Sequence, residues 1–390
     1  MRKILLSSIA GVMILLSACT PSHSMQQRAD DGSCSTRYMA STSASRPDAE
    51  APSVLTWSGP AELHDIEQNT LWCRTVARPV VRGLPTGSLE AANRVDSVAI
   101  LTWNTYLGGG DVVAFLAEEL RFTCDPTSIP SNRVSLNAPR DREPPFHFVL
   151  LLQEVYRQSA TLPEAPPGPT IPWRIEPVPP PGGLRDILEV AERCGLALLY
   201  VPSARNGSSG PERLQEDKGN AILSTLPLSD LAAIELPFEA SRKVAVVATI
   251  PGPGGERIRV VSVHLELSST LVRTLISGNA TRLRQAMGLA DALESTESSI
   301  TIVGGDFNTW SATEATLKRL ALRFPDSPQW DGRPTRGPFP TDHILFRTVP
   351  GSRIELVEES YRRLEETYGS DHMARIVWLR GSDPITLDGS

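Results

Sequence analysis

The sequence lacks several features that would place it in a well-marked class of protein. After its N-terminal segment it has no run of about 18 uninterrupted apolar residues, so no later segment is a candidate membrane-spanning helix. It has no internal repeat. Basic residues number 38 against 45 acidic ones, for a formal net charge of -7. This balance gives no general attraction to nucleic acid, although local basic patches stay open.

Cysteine is also scarce, with five in 390 residues. No two cysteines stand at Cys-x-x-Cys spacing, so the sequence offers no zinc site. Cys34, Cys73, Cys124 and Cys194 form an even set once Cys19 is set aside. In an oxidising compartment an even set predicts disulfides, with three possible pairings, and unpaired buried thiols are the alternative.

The N-terminus has the pattern of a targeting segment. Arg2 and Lys3 precede a mostly apolar run, Ile4 to Leu16, that is too short to span a bilayer. The run ends in Leu16-Ser17-Ala18-Cys19, which resembles the lipobox of bacterial lipoproteins. We therefore expect residues 1–18 to be a signal peptide and Cys19 to be lipidated. The protein would be anchored in the bacterial cell envelope, at the periplasmic face of a membrane or the cell surface. An ordinary signal peptide with an incidental cysteine is the alternative.

The composition divides the rest of the chain. Residues 19–52 are rich in Ser, Ala, Asp and Gln, which indicates a flexible tether. Residues 53–96 contain Trp57 and Trp72, and we expect this extension to pack on the core. Residues 97–380 read as one α/β domain, and residues 381–390 as a tail.

Short Val, Ile and Leu-rich runs in residues 97–380 predict ten strands, many buried on both faces. They are Val98–Trp103, Phe146–Gln153, Ala197–Val201, Ala221–Leu223, Val244–Ile250, Ile258–Leu265, Ile300–Val303, His343–Phe346, Ile354–Val357 and Ala374–Leu379. Two helices are also predicted. One presents an apolar stripe of Leu283, Met287, Ala290 and Leu293. The other opens at the capping box Ser311-Ala-Thr-Glu314 and runs to about Phe324.

Polar residues cluster where the apolar runs end, which is where α/β folds place their sites. Singly these signals are weak, because Asn and Asp after a strand are commonly turn residues. Their order and spacing carry more weight. The set comprises Trp103-Asn104, Leu152-Gln153-Glu154, Gly219-Asn220-Ala221-Ile222-Leu223-Ser224, Val263-His264-Leu265, Gly305-Asp306-Phe307-Asn308, Asp342-His343 and Ser370-Asp371-His372.

This set resembles the endonuclease/exonuclease/phosphatase superfamily over roughly residues 97–380. The resemblance implies an α/β (α+β) fold, a four-layer sandwich of two central mixed β-sheets flanked by helices, with the site at one edge of the sheets. It also implies hydrolysis of phosphodiester or phosphomonoester bonds. Thr341 departs from the pattern, because the family usually has an aliphatic residue before this aspartate.

Cleaving a phosphate ester requires neutralising oxygen charge, activating a water and protecting the leaving oxygen. Mg2+ takes one or two carboxylates, waters and the substrate phosphate, and Mn2+ could replace it. Glu154 is the first candidate ligand, then Asp371, with Asn104 suited to orienting the metal's waters. Asn308 is assigned to catalysis or to a phosphate oxygen, and Asn220 to substrate binding or support of its loop.

His372 and Asp342 are expected to form a dyad in which the carboxylate fixes the imidazole tautomer. His372 then either takes a proton from water or stabilises charge as imidazolium, and Asp306 competes as the base. His264 would donate to the phosphate or the leaving oxygen. Asp342 as a plain loop cap is the structural alternative. Arg157, Arg242 and Lys243 are equally candidates for phosphate contact and for surface charges.

The leading hypothesis is thus an extracytoplasmic, Mg2+-dependent phosphoesterase, expected to be a monomer. Nucleic acid, phospholipid or sphingomyelin, and small phosphate esters all stay open as substrates, although the acidic balance and the anchor disfavour a nuclease. The alternative is an inactive binding or scaffold lipoprotein that keeps the fold.

Overall fold

The computed structural model describes residues 41–42, 55–84, 95–124, 147–159, 162, 180, 183–206, 215–267, 278–294, 298–329 and 331–382. The predicted signal peptide, Cys19, Cys34 and nearly all of the tether and tail lie outside these residues. Within them, no helix is long and apolar enough to cross a membrane.

Fourteen strands are described, in two mixed β-sheets. They are β1 (Ser41–Thr42), β2 (Thr56–Ser58), β3 (Val80–Arg82), β4 (Ser97–Asn104), β5 (His147–Ser159), β6 (Ala197–Arg205), β7 (Gln215–Ser224), β8 (Ser229–Glu235), β9 (Val244–Pro251), β10 (Arg257–His264), β11 (Ile300–Asp306), β12 (Asp342–Thr348), β13 (Ile354–Arg363) and β14 (Arg375–Gly381). All ten predicted strands are present.

The first sheet has the order β1-β3-β6-β7-β5-β4-β14-β13 and the second β12-β11-β10-β9-β8-β2. Neighbours β4 and β5 are parallel, as are β10 and β11. β12 is antiparallel to β11 and β14 to β4, so both begin at the edge where their neighbours end. This arrangement brings the motif residues of the two sheets to one edge of the sandwich.

Five α-helices are described in these residues. They are α1 (Leu63–Cys73), α2 (Val112–Glu119), α3 (Ile187–Cys194), α4 (Gly278–Ala292) and α5 (Ala315–Arg323). α2 and α3 pack on the first sheet through one apolar cluster, and α4 and α5 pack on the second through another. A third cluster fills the space between the sheets. The predicted four-layer α/β sandwich is confirmed.

The apolar stripe of α4 differs from the prediction. Ala290 and Leu293 of the predicted stripe are buried, whereas Leu283 and Met287 are only half-buried, and Ala286 and Leu289 are buried in their place. Arg282 and Gln285 are buried on the same face because each is hydrogen-bonded, Arg282 to Glu314 and Gln285 to the Pro237 carbonyl. Polar side chains with partners therefore occupy positions that a purely apolar pattern leaves to solvent.

α5 begins at Ala315, three residues later than the capping box predicts. Glu314 does not return to the Ser311 backbone. Its carboxylate instead accepts from the Trp310 N–H at 2.6 Å and from Arg282 at 2.9 Å. These tertiary contacts hold residues 311–314 as a turn.

The segment that precedes the α/β domain pairs with both sheets. β2 lies parallel to β8 at the edge of the second sheet, and β3 lies antiparallel to β6 in the first. Between them, Asp65 of α1 is buried and binds Arg284 at 2.8 Å, and Asn69 donates to the Leu236 carbonyl at 3.0 Å. The segment thus packs across one side of the sandwich.

A disulfide joins Cys124 to Cys194 at the end of α3. Disulfide formation, predicted from the even cysteine set, is confirmed for this pair. Cys73 is disulfide-bonded too.

Candidate active site

A polar contact between the two sheets supports the floor of the site. Gln153 of β5 is fully buried and donates to Ser262 Oγ of β10 at 3.0 Å. Ser262 in turn donates to the Leu152 carbonyl at 2.8 Å. Gly304 allows the close approach, because a Cβ there would lie 2.6 Å from Leu151 Cδ1. The strand ends of both sheets are therefore held at a fixed separation.

Strand register places three of the predicted site residues side by side. His264 ends β10, Asp306 ends β11 and Asp342 begins β12, and the three are direct neighbours in the second sheet. Asn104 ends β4 in the facing sheet, and its Nδ2 donates to Asp306 Oδ2 at 3.0 Å. Asp306 is buried, and its other oxygen accepts from the Asn308 backbone N–H at 2.8 Å.

Glu154 reaches the site through an irregularity in β5. The register between β5 and β7 shifts between Leu152 and Val155, and Glu154 has a φ of 52°. This left-handed conformation is uncommon for a residue with a side chain and concentrates at functional sites. It turns the carboxylate toward Lys218 Nζ at 3.7 Å and His264 Nδ1 at 3.8 Å.

The expected dyad is present. His372 Nδ1 lies 2.8 Å from Asp342 Oδ2, and both side chains are buried. Thr341, the departure from the family pattern, donates its hydroxyl to the same carboxylate oxygen at 2.8 Å. Arg375, which is fully buried, holds the Asp342 carbonyl at 2.8 Å and the Asp331 carboxylate at 3.0 Å. Asp342 is therefore fixed by several partners, which a simple loop cap does not require.

The site environment separates the two buried aspartates. Burial raises the pKa of Asp306 to about 6, the charge of Asp342 raises it too, and His372 opposes both. Burial also acts to raise the pKa of Asp342, but the His372 charge and hydrogen bond outweigh it, so that this pKa lies below its usual value. The two carboxylates thus differ in acidity because only one of them binds the imidazole directly.

The two histidines are separated in the same way. Burial acts to lower the pKa of His372, but Asp342 and Asp306 outweigh it and raise that pKa to about 9. His264 has no such close carboxylate, and burial with the charges of Lys243 and Lys218 lowers its pKa well below the usual value. In this arrangement His372 is an imidazolium at neutral pH and His264 is neutral.

Oxygen donors around the site suit a hard divalent cation. Burial acts to raise the pKa of Glu154, but Lys218 and Lys243 outweigh it and keep the group a carboxylate. Asp306, Asp342 and His372 place ligand atoms within 4.8 Å of one another, a different trio from the predicted Glu154, Asp371 and Asn104. In that trio Asp342 Oδ2 and His372 Nδ1 already bind each other, and the two Asp306 oxygens accept hydrogen bonds from Asn104 and Asn308.

Three predicted residues are engaged elsewhere in this structure. Asp371 binds Arg336 at 2.6 Å, while its other oxygen lies 3.7 Å from His372 Nε2. The Asn308 side-chain amide donates to the Leu265 carbonyl at 2.8 Å, and the Asn220 side-chain amide donates to the Val244 carbonyl at 2.8 Å. The two asparagines therefore tie strand ends together at the margin of the site.

Of the basic candidates, Arg157 binds Asp186 at 3.0 Å and Arg242 binds Glu235 at 2.8 Å. Lys243 instead faces a pocket beside Glu154 and His264. Lys218 and Arg336 were not predicted. No motif marks Arg336, although Lys218 directly precedes the predicted Gly219-Asn220 pair.

Comparison with known proteins places this geometry in context. A family model described as the Endonuclease/Exonuclease/phosphatase family matches residues 101–372. No curated protein matches the chain.

Several solved structures are similar to it. One is an endonuclease/exonuclease/phosphatase from Beutenbergia cavernae, with 15% identity, a TM-score of 0.47, and coverage of 74% of this chain and 72% of that one. Another is sphingomyelinase C from Streptomyces griseocarneus, with 15% identity, a TM-score of 0.41, and coverage of 74% and 99%. A nitrophorin from Cimex, a ferrous NO complex, has 12% identity, a TM-score of 0.40, and coverage of 73% and 98%. At these identities the likeness concerns the fold alone.

Proposed function

The chain belongs to the endonuclease/exonuclease/phosphatase family, as its motifs predicted, and we propose that it is a divalent-metal-dependent phosphoesterase acting outside the cytoplasm. Family membership supports a phosphate-ester hydrolase. The observation that carries the metal-dependent proposal is the row of oxygen and imidazole groups at one sheet edge, in which the buried Asp306 carboxylate lies between two histidines.

Asp306 is proposed as the group that takes the proton from the attacking water. Its Oδ2 lies 3.7 Å from the Nε2 atoms of both His264 and His372, and Asn104 orients it from the facing sheet. A base with a pKa near 6 is largely ionised at neutral pH and still accepts a proton readily.

His372 is proposed to stabilise negative charge on the phosphoryl oxygens. With Asp342 on Nδ1, its Nε2–H is free to donate toward the space shared with Asp306. An imidazolium aimed at developing charge in a buried site is worth far more than in water. His264, neutral here, would donate to the leaving oxygen.

The residues present fit Mg2+ or Mn2+, because Glu154 and Asp371 supply carboxylates and Asn104 an amide oxygen. Glu154 is proposed as the main ligand, with Asp371 available once it leaves Arg336. When bound, the cation would neutralise phosphate charge and polarise the phosphorus–oxygen bond.

Lipidation at Cys19 and a place in the cell envelope are proposed on the N-terminal sequence alone. The Cys124–Cys194 disulfide is consistent with an oxidising compartment.

The test uses the purified mature chain with EDTA or with added Mg2+ or Mn2+, on DNA, RNA, sphingomyelin and bis(4-nitrophenyl) phosphate. We expect hydrolysis of at least one substrate only with metal, and its loss in His372→Ala. The matched control is His64→Ala, an exposed histidine on α1. If no substrate is hydrolysed with any metal, the inactive scaffold becomes the better reading. The substrate that is hydrolysed selects among the three classes.

A further inference from the structure

A pocket beside the proposed reaction centre is lined by more cationic than anionic side chains. Its charged walls are Glu154, Lys218, Arg242 and Lys243, with His264 at one side. Arg242 is neutralised by Glu235 at 2.8 Å, and Lys218 stands 3.7 Å from Glu154. The third cation, Lys243, has no carboxylate this close among the described residues, and Glu266 acts on its charge from a greater distance.

Lys243 is 7% exposed and, among the described residues, has no carboxylate within 4 Å of its ammonium group. Glu266, the acidic residue that acts on it most, is itself held by Ser241 through both the backbone N–H and the hydroxyl, at 2.9 and 2.7 Å. A buried cation without a close partner is costly. Such a group is expected where a ligand supplies the missing anion.

The pocket adjoins the reaction centre and shares Glu154 and His264 with it. A row of contacts runs from His372 through Asp306, His264 and Glu154 to Lys218, with successive separations of 3.7, 3.7, 3.8 and 3.7 Å. Lys218 therefore lies at the opposite end of this row from His372, and Lys243 lines the same pocket as Lys218. A group bound between the two lysines would be adjacent to a phosphoryl group held at Asp306.

On the basis of the proposed function, we propose that Lys243 and Lys218 form a subsite for a second phosphoryl group of the substrate, next to the phosphate ester that is cleaved. The ligand is a terminal phosphate dianion, because the ammonium-bearing side chains of Lys218 and Lys243 line the same pocket and a dianion matches two cations better than a monoanion does. A substrate with a cationic headgroup would be disfavoured, since it would place like charges together.

The kinetic test uses three 4-nitrophenyl phosphodiesters that share one leaving group. Their second ester group is ethyl, 2-phosphonoethyl, or 2-phosphonoethyl methylated to a monoanion like that of a nucleic-acid backbone. We expect wild-type kcat/KM to be highest for the phosphonoethyl ester. Lys243→Met should reduce its advantage over the ethyl ester roughly tenfold, mainly through KM, because one charge-assisted contact is lost. Lys318→Met, an exposed lysine of α5 with the same charge change, should keep that advantage.

An equal loss on all three esters in Lys243→Met would assign the lysine to the cleaved phosphate and overturn the proposal. A wild-type preference for the monoanionic ester over the dianion would assign the pocket to a nucleic-acid backbone and overturn it as well.

A binding measurement separates failure of the subsite from failure of the proposed function. Inorganic phosphate is titrated calorimetrically into metal-free wild type, Lys243→Met and Lys318→Met. Weaker binding in Lys243→Met alone supports the subsite even if no ester is hydrolysed. Equal binding by all three proteins overturns it whatever the activity.

Discussion

Asp306 and Asp342 are neighbouring carboxylates, and we expect their removal to change stability in opposite directions. The perturbation is Asp306→Asn or Asp342→Asn, each of which removes one negative charge from the same buried site. Asp306 is ionised at a cost, because burial raises its pKa to about 6. Asp342 is ionised with a gain, because His372 lowers its pKa below the ordinary value.

The magnitude for Asp306 follows from linkage. A folded-state pKa of about 6 against an ordinary 3.8 makes the ionised group cost about 3 kcal/mol above pH 7. In Asp306→Asn, an NH2 group takes the place of the carboxylate oxygen that accepts from the Asn104 N–H. Loss of this hydrogen bond costs about 1 kcal/mol. The net expectation for Asp306→Asn is a gain of about 2 kcal/mol. Because the cost exists only where the folded group is ionised, the gain disappears as the pH falls through 6 toward 4.

Asp342→Asn has the opposite sign. It breaks the 2.8 Å contact with His372, and loss of one partner of a buried ion pair costs about 3 kcal/mol.

The assay is urea unfolding with EDTA, at about pH 8 and pH 4.5, for wild type and both variants. Asp306→Asn should be more stable than wild type at the higher pH only, while losing hydrolysis by orders of magnitude that added metal does not restore. If Asp306→Asn destabilises the metal-free protein at pH 8 as much as Asp342→Asn does, the assigned charge states are wrong.

Three further predictions concern the metal, the disulfide and the anchor. Glu154→Gln should raise the Mg2+ concentration needed for half-maximal turnover, so excess Mg2+ should recover part of the activity. If the loss of activity is the same at every Mg2+ concentration, Glu154 is not a metal ligand. Cys194→Ala opens a 70-residue loop and should lower the free energy of unfolding by about 4 kcal/mol. An unfolding midpoint in urea equal to that of wild type would contradict this. Cys19→Ser should release the protein from the membrane fraction at high salt, and retention there would contradict lipidation.

The strands and most site residues could be predicted because their signals are local in sequence. Strands such as β4 and β11 are buried on both faces, so each has a mostly apolar sequence with a polar residue at its end. β8 was missed, since its polar start, Ser229-Asp230, obscures the pattern. β2 and β3 were missed as well, because a strand of three residues is too short to show an alternation of apolar and polar side chains.

The ion pairs and charge states of the site could not be predicted in the same way. Arg336 meets Asp371 across 35 positions of chain, and Lys218 meets Glu154 across 64, so neither pair has a spacing to recognise. The left-handed backbone conformation of Glu154 likewise follows the register shift between β5 and β7, and no sequence feature at that position predicts it. Charge states depend on such tertiary neighbours, so the sequence alone left the roles of His372 and Asp306 open.

The pairing of β2 with β8 and of β3 with β6 also bears on how the protein can be shortened. These strands lie on the same side of the sandwich, one in each sheet. A fragment starting at residue 97 would keep every motif residue, yet β6 and β8 would each present a row of unpaired backbone N–H and C=O groups. Open edges of this kind are templates for pairing with another chain. We therefore expect the segment ahead of residue 97 to protect these two strand edges from pairing with another chain.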